Sequence, residues 1–131
     1  MISRRPLLAS LAVLAVFAAT PSFAAGLPKG LDTDNDATID LPEARKAAGA
    51  LFDKLEKDHD GTLDTSELRR RLEKGEISAA DPDKDGTLTK DEYLAAVEAR
   101  FKAADPDNDG TLDAKELQSK AGHALLKLLL K

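Results

Sequence analysis

The chain has no cysteine and no tryptophan, and only one tyrosine and four phenylalanines among its 131 residues. Without cysteine, no disulfide staples the fold. So few aromatic residues leave a thin apolar core, because those side chains bury the largest areas. No Ser/His/Asp set, phosphate-cradling glycine loop or open site with a general base is present, which sets an enzymatic role aside. Positive charge is in deficit: 19 Lys and Arg stand against 24 Asp and Glu, a net charge of −5. A nucleic acid would be repelled by that balance.

The first 24 residues differ from the rest. Arg4 and Arg5 precede an apolar run from Leu7 to Ala19, and small residues follow at Ser22 and Ala24. This is the order of an export signal, with an apolar run too short to span a bilayer. The stretch SRRPLL also resembles a twin-arginine leader, so both the general secretory and the twin-arginine routes stay open. Residues 1–24 are therefore expected to be removed, leaving 25–131 as one periplasmic domain with no second hydrophobic span and no membrane attachment. Cleavage removes two arginines and no acid, taking the charge from −5 to −7.

What remains is a repeat. DTDNDATIDLPE (Asp32–Glu43), EKDHDGTLDTSE (Glu56–Glu67), DPDKDGTLTKDE (Asp81–Glu92) and DPDNDGTLDAKE (Asp105–Glu116) place oxygen-bearing residues at positions 1, 3, 5, 7, 9 and 12. That spacing matches the EF-hand loop, in which alternate side chains and one backbone carbonyl surround a hard cation and a final Glu closes the site. The candidate ligands of loop one are Asp32, Asp34, Asp36, Thr38, Asp40 and Glu43. Loop two offers Glu56, Asp58, Asp60, Thr62, Asp64 and Glu67; loop three offers Asp81, Asp83, Asp85, Thr87, Thr89 and Glu92. Loop four, the most complete, offers Asp105, Asp107, Asp109, Thr111, Asp113 and Glu116. Of the 24 acids, 19 sit at these positions; only Asp53, Glu73, Glu76, Asp91 and Glu98 lie elsewhere. The acidity is metal-site acidity.

Three departures stand out. Ala37 occupies position 6 of loop one, where glycine supplies a left-handed turn. Glu56 opens loop two in place of Asp, and Thr89 takes position 9 of loop three. His59 and His123 are isolated and are not counted as ligands. Arg69–Arg71 reads as a solvated helix face.

The loops begin at 32, 56, 81 and 105, so only twelve or thirteen residues separate them. There is room for one helix between loops, not two. Leu41, Ala44, Ala48, Leu51, Phe52 and Leu55 mark one face of a helix with Pro42 in its first turn; Leu94, Val97, Phe101 and Ala104 mark another. A helix of about 14 residues is roughly 21 Å long, so it separates the loops at its two ends. Gly75 is expected to break the chain between loops two and three and turn it back. Loops two and three then pair at one end and loops one and four at the other. The fold class expected is all-α, a compact helical bundle closed by a last helix over about Ala114–Leu130 through Leu117, Ala121, Leu125 and Leu128. The final LLKLLLK is more apolar than one stripe needs, which leaves core packing, a homodimer or a periplasmic protein partner as its use.

The short spacing, the leader, Pro82 and Pro106 at loop position 2, and the tail DGTLDAKELQSKAGHALL resemble the lanmodulin family over nearly all of 25–131. The likeness is closest in DPDKDGTLTKDEYLAAVEARFKAADPDNDGTLD. It implies a three-helix architecture that folds around lanthanide(III) ions in preference to Ca2+, and a role in lanthanide handling beside lanthanide-dependent alcohol oxidation. In loop four it implies side-chain ligation by Asp105, Asp107, Asp109, Asp113 and Glu116, with a backbone carbonyl from Thr111. Thr33 and Lys57 replace the proline at position 2 of the first two loops. The loop chemistry alone is equally that of a general calcium buffer or sensor, or of a protein-interaction module scaffolded by calcium.

Overall fold

The computed structural model describes residues 26–68 and 71–131. The leader, Arg69 and Arg70 lie outside them. Each repeat contributes a two-residue strand and then a helix. Strand β1 (Ile39–Asp40) runs into α1 (Leu41–Leu55), and β2 (Thr62–Leu63) precedes the short α2 (Thr65–Leu68). After α3 (Lys74–Ala80), β3 (Leu88–Thr89) leads into α4 (Lys90–Ala104). Finally β4 (Thr111–Leu112) precedes α5 (Ala114–Leu117) and α6 (Lys120–Leu129).

Local chemistry sets the helix ends. Asp40 caps α1 by accepting the Glu43 N–H, Glu43 reaches back to the Asp40 N–H, and Pro42 fills a first-turn position whose N–H has no partner to lose. Thr89 and Glu92 repeat the reciprocal cap at α4, as do Asp113 and Glu116 at α5. Lys54 and Lys102 lie in the last turns of α1 and α4, where the helix dipole favours a cation.

The strands join the loops at two ends. β1 pairs antiparallel with β4, Ile39 opposite Leu112 and Asp40 opposite Thr111. β2 pairs antiparallel with β3, Thr62 opposite Thr89 and Leu63 opposite Leu88. The four position-8 residues, Ile39, Leu63, Leu88 and Leu112, are wholly buried. Each contributes about 1.5–3 kcal/mol of burial. Between the ladders, α1, α4 and α6 pack on one another. α1 brings the small Ala44 and Ala48 with Phe52; α4 brings Tyr93, Val97 and Phe101; α6 brings Leu125 and Leu128.

Tyr93, which the apolar spacing did not single out, is fully buried. Its ring meets Phe52 edge to face, centroids 5.7 Å apart, and its hydroxyl donates to the Leu128 carbonyl at 2.7 Å. Burial pushes that phenol up to about 12. It stays a donor.

Three expectations need correction. Gly75 is not the break; it is the second residue of α3. The interruption lies upstream, and α3 begins afresh at Glu73, whose N–H donates to Glu76 Oε2 at 2.8 Å. The last helix is two helices. Ser119 ends the first by donating to the Glu116 carbonyl at 2.6 Å and starts the second by accepting the Gly122 N–H at 3.0 Å. Arg71 is no solvated charge: its guanidinium donates to the Lys127 carbonyl at 2.8 Å and to the Leu130 carbonyl. With Tyr93 it satisfies carbonyls that the end of α6 leaves without helical partners. Beside the three longer helices that the family likeness implied, the described residues hold three short ones.

Candidate metal centres

Each loop is held open by its own backbone. The N–H of position 6 donates to the position-1 carboxylate: Ala37 to Asp32 at 3.1 Å, Gly61 to Glu56 at 3.0 Å, Gly86 to Asp81 at 2.8 Å and Gly110 to Asp105 at 3.1 Å. Glu56, despite its longer arm, reaches the same partner as the aspartates. Position-3 carboxylates accept the position-5 N–H, as Asp107 does from Asp109 at 3.2 Å. Position-5 carboxylates accept both the N–H and the hydroxyl of the position-7 threonine; Asp85 takes them from Thr87 at 2.8 and 2.9 Å. In the position-3 and position-5 carboxylates these bonds engage one oxygen, Oδ1, and leave the second for another partner, whereas Asp32 and Asp105 accept N–H groups on both oxygens.

Those carboxylates converge. Ligand atoms of Asp32, Asp34 and Asp36 lie within 4.8 Å of one another, as do those of Glu56, Asp58 and Asp60, and of Asp81, Asp83 and Asp85. In loop four the trio is Asp105, Asp107 and the closing Glu116. Position 9 does a different job in this structure. Asp40, Thr89 and Asp113 cap the following helices, and Asp64 accepts the Ser66 and Glu67 N–H groups at 2.7 and 2.9 Å. That use agrees with a position that often reaches the ion through water.

The closing glutamates divide the loops in a way that the ligand spacing did not reveal. In loop one, Glu43 Oε1 accepts the Thr33 N–H at 2.6 Å and the Thr33 hydroxyl at 2.9 Å; in loop two, Glu67 Oε1 accepts the Lys57 N–H at 2.9 Å. Position 2 of loops three and four is proline, which has no N–H to give. The signal was present in sequence as Pro82 and Pro106, but its meaning needed the glutamate's position.

The electrostatics are those of crowded anions. Contact with Asp81 raises Asp83 above the ordinary aspartate value, and contact with Asp105 does the same to Asp107. Their partners go down: burial would raise Asp81 and Asp105, but the neighbouring aspartate and the loop N–H groups outweigh it. Burial also raises Glu116, aided by the Asp107 charge, whereas in Glu43 the effect of burial is outweighed by the Thr33 and Asp40 N–H groups. Asp81 Oδ1 is buried with no hydrogen-bond partner. A carboxylate oxygen in that condition costs about 1–3 kcal/mol. A hard cation satisfies it, and the all-oxygen donor set is the kind that calcium takes.

Backbone strain grades the loops. Position 6 is left-handed in all four, at φ +85°, +82° and +83° for Gly61, Gly86 and Gly110, and +67° for Ala37. An L-residue there costs roughly 1–2 kcal/mol. Position 4 is left-handed as well, at Asn35, His59, Lys84 and Asn108; asparagine and histidine adopt this more readily than lysine. Replacing Ala37 by glycine is expected to tighten loop one by roughly fivefold, equivalent to about 1 kcal/mol. Site-resolved titration reads the effect. A weakened site would show that position 6 does not limit this loop.

Residues 50–72 and 97–119, which contain loops two and four, each match the EF-hand family model. Loop two is thus recognised although a glutamate opens it. No curated protein matches the chain. The two matched segments carry the EF-hand pattern, and together with the acidic clusters they suit the binding of a metal such as calcium.

Proposed function

We propose that this chain is an exported, periplasmic metal-binding protein without catalytic activity, whose four loops work as two pairs and prefer lanthanide(III) ions to Ca2+. The observation that carries the reading is the convergence of three carboxylates within 4.8 Å in every loop. The ligands proposed are the 24 residues named above, six to a loop, with position 9 reaching the ion through water; the converging trios supply three of each six. The ladders β1–β4 and β2–β3 support a one–four and two–three pairing.

Selectivity follows from charge. Trivalent lanthanides are close to calcium in size, so the cavity separates them poorly. Against the same carboxylates, each direct Coulomb term is half again larger for a 3+ ion than for a 2+ ion. Dehydrating the 3+ ion costs more too, so the preference rests on carboxylates already gathered, and this backbone gathers them. The likeness to the lanmodulin family supports the same choice.

A lanthanum titration in large calcium excess, followed by helical circular dichroism and by site-resolved competition, tests it. Lanthanum is expected to displace calcium at all four loops, with loop four the most selective. Comparable affinities for the two ions would return the protein to a calcium buffer or sensor.

A further inference from the structure

Away from the loop interiors, α1, α2 and α6 enclose a groove of about 1150 Å³, larger than the ~300–1,000 Å³ usual for small-molecule sites. Its apolar residues are Leu51 and Leu55, one turn apart on α1, with Leu126 and Leu130 at the end of the chain. Leu55, Leu126 and Leu130 are only partly buried. Lys54, Lys57, Arg71, Lys127 and Lys131 also line it, and the lysines are exposed. Among the described residues none of these lysines is in an ion pair. Among the described residues Glu67 is the one acid in the lining, and both its oxygens already accept backbone N–H groups. A chain of net charge −5 thus gathers unpaired cations around an apolar floor.

We infer that this groove docks an acidic amphipathic helix of a partner protein. Two apolar side chains spaced three or four residues apart would fill the floor, and flanking carboxylates would meet the lysines. The concave shape selects a ridge such as a helix; a flat bilayer surface cannot enter it. Lys57 and Glu67 are also positions 2 and 12 of loop two. If a metal draws the Glu67 carboxylate away, the groove becomes more basic, so metal at loop two should tighten docking. This linkage, unlike the docking itself, rests on the metal-binding reading.

The test uses a fluorescein-labelled designed helical peptide with a leucine stripe flanked by glutamates, and its twin with lysines in their place. Anisotropy gives the affinity, and amide shifts in two-dimensional NMR locate the contact. The glutamate peptide is expected to bind saturably, with shifts centred on Leu51, Leu55, Leu126 and Leu130, and severalfold more tightly in calcium than in chelator. The K54E/K127E variant should lose about tenfold in affinity and should favour the lysine peptide. Both positions are exposed and outside the loops, so calorimetric metal titration of the variant should match that of the parent. Docking in a protein that binds no metal would leave the surface standing and sink the metal reading. Metal binding without docking, or equal binding of the two peptides, would overturn the surface. So would sedimentation showing that the groove is filled by a second copy, or preference for phosphatidylglycerol vesicles over the peptide.

Discussion

Gly122→Ala is expected to cost the fold about 3 kcal/mol, near the upper end for overpacking a closed site. A β-carbon there would lie 2.3 Å from the Glu116 carbonyl oxygen and 2.5 Å from Leu117 backbone atoms. No side chain can move aside, because the obstruction is main chain. The corner between α5 and α6 would have to open. That breaks the Ser119 contacts and pulls Leu125 and Leu128 from the core. Gly75→Ala is the control. Gly75 is helical, has no atom within 4 Å of its would-be β-carbon, and should gain roughly 0.5–1 kcal/mol. Thermal unfolding in saturating metal separates the two variants by sign. Equal effects would show that the α5–α6 corner is looser than its geometry states.

Stripping metal is expected to do more. At a hundredfold excess over Kd each filled site adds about 2.7 kcal/mol. Four such sites rival the 5–15 kcal/mol that hold a typical domain together. Without an ion, the 19 loop acids repel one another around a core of few aromatics. Helical circular dichroism should therefore fall when the ions are chelated and return cooperatively when they are restored. Acid should rescue part of it. Asp83 and Asp107 are raised in the folded chain, so they take up protons there before the unfolded chain does. For such groups, stability rises as pH falls through the raised values and stops gaining at the ordinary aspartate value of 3.8. Below that, the lowered Asp81 and Asp105 take over and stability falls again. A stripped protein with full helicity at neutral pH, unchanged toward about pH 4, would sink the claim.

The loops were legible because ligand chemistry dictates residue type at fixed intervals, and little else produces Asp at 1, 3 and 5 with Glu at 12. Helices α1 and α4 were legible from apolar spacing bounded by loops. The split at Gln118–Ser119 was hidden by an apolar pattern that runs unbroken through Leu117, Ala121, Leu125 and Leu128. Only Ser119 and Gly122 hinted at it, and their meaning depends on how α6 lies against α5. Arg71 could not be placed from its neighbours, since its partners are carbonyls some 56 and 59 residues away. Left-handed position 4 was partly written in Asn35, Asn108 and His59; Lys84 carried no such sign.

The ladder between β1 and β4 also governs when the molecule can assemble. Ile39 and Leu112 are 73 residues apart, so closing that ladder spans most of the domain. A polypeptide emerging end first can join β2 to β3 across only 25 residues, Leu63 to Leu88, as soon as both are out. The outer ladder has to wait for nearly the whole chain. Loop-closure entropy grows slowly with length, and high contact order slows folding. The inner pair is thus the early-forming half, and the outer pair acts as a clasp that shuts last. A nascent or threading chain stays loose until its final quarter is free.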